Sequence, residues 1–176
     1  IKKADVEIEF FPVNGNLHAL PEKCPIERGD GVLLIRYFGF QQKESVYERV
    51  KLMGGIIIED MSQALYGEMH SAANFCIYSP RKFLPVPDGG IVIAAEQESV
   101  EWIYDAESNR ETIGYWLEAT AGRMLFENDR STNRDWVANT KAAEEAMRIE
   151  LGKMSRYTEY LLKESFDHGN EIEVRK

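Results

Sequence analysis

The stretch GVLLIRYFGFQQKESVYERVKLMGGIIIED, residues 31–60, decides the predicted fold. Residues 31–38 are an apolar run bounded by glycines, which is typical of a strand buried in a parallel sheet. Residues 44–53 place apolar side chains on one helical face and stop at two glycines, a common signal for the end of a helix. Residues 56–58 form a second buried strand that runs into two carboxylates. Strand, helix and strand in this order predict a βαβ unit with parallel strands.

Shorter apolar runs extend this unit on both sides. Residues 6–10 alternate apolar and acidic side chains, with the period of a strand that has one buried face. Residues 75–78 and 91–95 predict two further strands, and the proline-rich loop 80–90 separates them. The predicted architecture is therefore α/β, with a mostly parallel sheet.

The second half of the chain has a helical pattern. Residues 1–95 are expected to form the α/β core, and residues 96–176 to continue the same domain as two long helices. A break at residues 128–133 separates these helices, and Ser131 or Thr132 is expected to cap the second one. The first residue is not methionine and the last residues reach no turn signal, so we expect a fragment of a longer protein.

Composition excludes several classes of protein. With 176 residues, 44% of them hydrophobic, the chain is long enough for one domain with a core. Its formal net charge of −9 argues against sequence-independent binding of nucleic acid. Cys24 and Cys76 lack metal-ligand spacing, so we expect no disulfide scaffold, no metal site and a cytoplasmic location. No apolar run approaches a membrane span. His18, His70 and His168 are expected to be surface or loop residues without a role.

The residues that follow the predicted strands carry the chemistry. In an open α/β sheet, ligands bind beyond the carboxyl ends of the strands. Asp60 and Gln63 follow the second core strand, and Ser79 and Lys82 follow the next one along the chain. A lysine amine can attack a carbonyl carbon, and a carboxylate can pair with a protonated ring nitrogen. A serine hydroxyl and nearby backbone N–H groups can hold a phosphate. A site for pyridoxal 5'-phosphate (PLP) needs these groups.

Three motifs resemble those of the DegT-type sugar aminotransferases, which are PLP enzymes of fold type I. They are IEDMSQA at residues 58–64, NFCIYSPRK at residues 74–82 and DGGIV at residues 88–92. Their order and spacing are similar to those of the family, and with weaker similarity the resemblance covers roughly residues 5–95. The implied fold is the large-domain core of the aspartate aminotransferase type, followed by long helices that lead toward a small C-terminal domain.

The resemblance implies a role for each candidate residue. Asp60 would bind the pyridine nitrogen, Gln63 would lie beside the ring, and Lys82 would form the Schiff base with the cofactor. Ser79, three residues before the lysine as in some other fold-type I aminotransferases, is the candidate for the phosphate. The resemblance also implies a homodimer with active sites at the subunit interface.

The implied reaction moves an amino group from an amino acid such as glutamate to a keto sugar linked to a nucleotide. In this interpretation Lys82 holds the cofactor and transfers it to the amino donor. The freed lysine amine then moves a proton between the α-carbon of the substrate and C4′ of the cofactor.

Three alternatives remain open. The first is a PLP dehydratase or another lyase of the same family, although such dehydratases often have histidine at the position of Lys82. The second is a catalytically silent domain of the same fold, with a role in assembly or regulation. The third is a flavodoxin-like or Rossmann-type module, but residues 38–40 do not supply the glycine-rich turn that it requires.

Overall fold

The computed structural model describes residues 6–23, 25–96, 110–130, 134–146 and 152–167. The chain divides into two compact units, which we call the sheet unit and the helical unit. The sheet unit comprises residues 1–82 and 90–100, and the helical unit comprises residues 83–89 and 101–176.

The sheet unit contains four strands in the order β1-β2-β3-β4. They are β1 (Gly31–Ile35), β2 (Ile56–Asp60), β3 (Phe75–Tyr78) and β4 (Ile91–Ala94). The pairs β1–β2 and β2–β3 are parallel, whereas β3 and β4 pair antiparallel. The expectation of an α/β fold with a mostly parallel sheet is confirmed.

Helix α1 (Glu44–Met53) connects β1 to β2, as the predicted βαβ unit requires. Gly54 ends the helix in a left-handed conformation with φ 79°, which glycine adopts without strain. The helix packs on one face of the sheet and completes the hydrophobic core. The core residues are Ala19, Ile26, Val32, Leu34, Val46, Tyr47, Val50, Ile57 and Ala73.

The two faces of the sheet differ in burial. Alternate side chains lie against α1, but those on the opposite face, Leu33, Ile56, Ile77 and Val92, are 38% to 42% exposed. Within the described residues, this opposite face of the sheet is therefore only partly covered. An apolar run permits burial on both sides, but whether another element covers each side depends on tertiary contacts.

Two strand predictions need correction. Strand β1 ends at Ile35, so residues 36–38 form a turn and not the end of a strand. Residues 6–10 belong to none of the four strands, and Val6, Ile8 and Phe10 are exposed. An alternating pattern makes a strand only where a neighbouring backbone is placed to pair with it.

The helical unit contains α2 (Arg110–Asn128), α3 (Asp135–Ala146) and α4 (Arg156–Asp167). Helices α2 and α3 pack closely, because a Cβ atom on Gly122 would lie 2.9 Å from Cβ of Trp136. The rings of Phe126 and Trp136 meet at the same contact, with centroids 6.4 Å apart. None of the helices in the described ranges has the length and apolar character needed to cross a membrane.

Asp88 fixes the start of α4. Its carboxylate accepts hydrogen bonds from the Ser155 N–H at 2.7 Å and from the hydroxyls of Ser155 and Thr158. The Ser155 hydroxyl accepts the Thr158 N–H at 3.1 Å, so Ser155 is the N-cap of α4 and Asp88 holds this cap in place. The predicted long second helix is therefore wrong at residues 152–155, where this cap starts a new helix. The cap expected at residues 131–132 lies outside the described residues.

Candidate functional site

The candidate residues lie at one edge of the sheet, which we call the carboxyl edge. It consists of residues 36–38 after β1, residues 60–63 at and beyond the end of β2, and residues 79–82 after β3. Asp60, the last residue of β2, is in register with β1 on one side and β3 on the other. Parallel pairing thus brings the three strand ends together, as the sequence argument expected.

Ser62 connects Asp60 with Lys82. Its backbone N–H donates a hydrogen bond to Oδ1 of Asp60 at 2.8 Å. Its hydroxyl accepts one from Nζ of Lys82 at 3.0 Å. A carboxylate at the end of β2 and an amine in the turn after β3 therefore share one serine as a partner. Ser62 could not be recognised from the sequence, since a serine in a polar loop has no distinguishing pattern.

Ser79 and Lys82 belong to the same short turn. The N–H of Lys82 donates to the carbonyl of Ser79 at 3.2 Å, within the turn Pro80–Lys82. The Lys82 side chain is exposed. The structure assigns Ser79 a backbone role in the turn, and its role toward a phosphate stays a prediction.

Gln63 holds the turn that follows β1. Its Oε1 accepts a hydrogen bond from the N–H of Phe38 at 2.8 Å. Phe38 has a left-handed backbone, with φ 55° and ψ 22°. The bond from the Phe38 N–H fixes the orientation of the amide, which leaves the N–H groups of Gln63 as donors for a ligand at the carboxyl edge.

Glu59 lies on the opposite face of the sheet from Asp60, since side chains alternate along a strand. It is completely buried. Arg36 donates to it twice, from Nε to Oε1 at 2.9 Å and from Nη2 to Oε2 at 3.0 Å. The Tyr47 hydroxyl and the His70 N–H donate as well. This paired carboxylate ties β1, β2 and α1 together beneath the carboxyl edge.

His70 lies in the loop after β2, as the expectation of a surface or loop residue allowed, but its side chain is largely buried. Its side chain is 8% exposed, and its ring stacks on Tyr47 with centroids 3.7 Å apart. Nδ1 accepts the N–H of Ala72 at 3.1 Å, and Nε2 lies 3.0 Å from the Glu44 carboxylate. These partners come from α1 and from the loop after β2, so the position of His70 in the sequence does not reveal its burial.

Burial changes the acidity of two side chains beside Glu59. It raises the pKa of the Cys76 thiol to about 11. It also raises the pKa of Tyr78 to about 12, and a hydrogen bond with Cys76 adds to this effect. A thiol with a raised pKa stays protonated and is a poor nucleophile. Cys76 is therefore a core residue and not a candidate for nucleophilic catalysis.

Comparisons with protein-family models, with curated proteins and with solved structures found no match. Within the described ranges, no group of three or more His, Cys, Asp or Glu side chains is placed to hold a metal ion. A function for the carboxyl edge therefore has to be argued from its own chemistry and from the resemblance of its motifs.

Proposed function

We propose that the chain is the cofactor-binding core of a PLP-dependent aminotransferase whose site is the carboxyl edge. The observation that carries this proposal is the pair of hydrogen bonds that connects the Lys82 amine to the Asp60 carboxylate through Ser62. Lys82 follows β3 and Asp60 ends β2, so the parallel pairing of these strands is what unites them.

The side chains of the carboxyl edge fit PLP in their chemistry. Asp60 uses Oδ1 for the Ser62 N–H, and its negative charge suits a protonated ring nitrogen. Gln63 presents amide donors for a ring oxygen, because its Oε1 is bonded to Phe38. The Lys82 amine is exposed and can reach an aldehyde.

Each residue has a defined task in this proposal. Bound PLP supplies an electron sink for the electron pair that a departing substrate proton leaves behind. Asp60 holds a proton on the ring nitrogen through its negative charge. Lys82 would hold the cofactor through Nζ, and as a free amine the same Nζ would carry the proton from the substrate α-carbon to C4′ of the cofactor.

The reactants are proposed from the resemblance to the DegT-type enzymes alone. An amino acid such as glutamate is the donor, and a keto sugar linked to a nucleotide is the acceptor. The proposed assembly is a homodimer, with active sites at the subunit interface.

The proposal is tested by incubating the protein with PLP, reducing it with borohydride and locating the pyridoxyl group by peptide mass spectrometry. The wild type should acquire a visible absorbance band and a stable adduct on Lys82. Lys82→Ala should lose both, whereas the control Lys51→Ala, which changes an exposed lysine of α1, should keep them. Asp60→Asn should bind PLP about tenfold to a hundredfold more weakly, since a charge-assisted hydrogen bond is lost.

Two results would contradict the proposal. An adduct that persists in Lys82→Ala would show that another amine captures PLP. The absence of a visible absorbance band after incubation of the intact protein with PLP would contradict the PLP enzyme. It would favour the alternative of a catalytically silent domain with an assembly or regulatory role.

A further inference from the structure

Phe38 combines two unfavourable features. Its backbone is left-handed, with φ 55° and ψ 22°, a region that bulky side chains rarely adopt. Its ring is 75% exposed, although aromatic rings gain much from burial.

The surrounding contacts hold Phe38 in this conformation. Its N–H donates to Oε1 of Gln63 at 2.8 Å, and the N–H of Gly39 donates to the Arg36 carbonyl at 3.1 Å. The Arg36 N–H in turn donates to the Asp60 carbonyl at 3.1 Å. The turn is thus tied to the residues of β2 that form the candidate site. Strained residues held in this way concentrate at ligand sites.

We infer that Phe38 is a specificity-determining contact for the planar ring of PLP at the carboxyl edge, an inference that rests on the proposed function. The amide of Gln63 connects the two partners. Its oxygen is bonded to Phe38, so an N–H of the same amide that donates to the ring brings the ring next to the turn. The exposed phenyl ring then gains a stacking or edge contact, which compensates for the strain.

Phe40 is a matched comparison within the same turn. It is 74% exposed, but its backbone is extended, with φ −74° and ψ 129°. Its N–H donates to the Tyr37 carbonyl at 3.0 Å and not to Gln63. Exposure is therefore common to both phenylalanines, whereas strain and the link to Gln63 belong to Phe38.

The test measures PLP affinity by absorbance titration and the Tm of the cofactor-free protein. Glycine keeps the N–H that bonds to Gln63 and adopts the left-handed conformation without strain. Phe38→Gly should therefore raise the Tm and also raise the Kd for PLP about tenfold. Phe38→Tyr keeps the ring and should bind PLP as the wild type does, and so should Phe40→Ala. If Phe38→Gly does not fold, Phe38→Asn, which also tolerates this conformation, takes its place.

The outcomes separate this inference from the proposed function. A wild type that forms the Lys82 adduct, with unchanged affinity in Phe38→Gly, would overturn the role of Phe38 and leave the proposed function intact. An equal loss of affinity in Phe40→Ala would overturn it as well, because the effect would then follow from exposed aromatic area alone. A wild type without an adduct would overturn both.

Discussion

Arg36 and Glu59 form a two-point ion pair in the interior of the sheet unit. Nε lies 2.9 Å from Oε1 and Nη2 lies 3.0 Å from Oε2, and the side chains are 5% and 0% exposed. The pair lies on the face of the sheet opposite Asp60. Removal of one partner of such a pair is costly, because it leaves the other as a buried, unpaired charge.

Glu59→Gln should lower the free energy of unfolding by about 3–5 kcal/mol. Glutamine keeps the shape of the side chain but leaves the Arg36 guanidinium uncompensated. Urea unfolding followed by circular dichroism measures the change. Glu48→Gln, at an exposed position of α1, is the control and should stay within about 0.5 kcal/mol of the wild type. An equally small change in both variants would show that the charge of Glu59 is not needed.

The stability of the fold should decline above pH 9. Burial raises the pKa of Cys76 from 9.0 to about 11 and that of Tyr78 from 10.0 to about 12. Each group binds its proton more tightly in the folded than in the unfolded protein. Its stabilising contribution is therefore complete below the unfolded pKa and is lost as the pH rises through the folded pKa.

Urea unfolding at a series of pH values up to 12 tests this expectation. The free energy of unfolding should fall from pH 9 onward, and Cys76→Ala should show a shallower fall between pH 9 and pH 11. The decline caused by Tyr78 should remain in that variant. If Cys76→Ala and the wild type follow the same slope, the thiol does not titrate in the way its burial implies.

Gly89→Ala should lower the free energy of unfolding by about 1–3 kcal/mol. Gly89 has φ +93°, and a Cβ atom there would lie 3.2 Å from Cβ of Met154 and 3.2 Å from Cγ2 of Thr158. Gly114→Ala is the matched control, because a Cβ atom at this position of α2 meets nothing within 4 Å. It should raise the free energy of unfolding by about 0.5–1 kcal/mol. Urea unfolding measures both variants. An unchanged free energy of unfolding in Gly89→Ala would contradict the close approach of α4 to Gly89.

Local patterns in the sequence located most of the elements. The runs at residues 56–58, 75–78 and 91–95 correspond to β2, β3 and β4, because short apolar runs between turn residues favour strands. The predictions for residues 6–10 and 152–155 failed for a shared reason. A strand depends on a neighbouring backbone, and the Ser155 cap that starts α4 is held by the distant Asp88 carboxylate, so neither is decided by the local pattern alone.

The candidate site was predictable in part. The rule that ligands bind beyond the carboxyl ends of strands singled out Asp60, Gln63 and Lys82, and the structure places all three at the carboxyl edge. Ser62 was not singled out. Phe38 was assigned to a buried strand, whereas it is exposed in a turn, because a hydrophobic residue type does not report a left-handed backbone.

The sequence by itself determined the alternation of strands and α1. The spacing of apolar residues and the positions of glycines favour a strand, a helix or a turn through interactions within a few residues of the chain. The sequence also determined which chemical groups follow each strand. Only the tertiary structure decided that Lys82 meets Ser62 beside Asp60, and that Glu59 is buried with Arg36. These contacts join segments that are distant in the chain, so they arise from strand register and burial, which form only when the whole sheet pairs and packs.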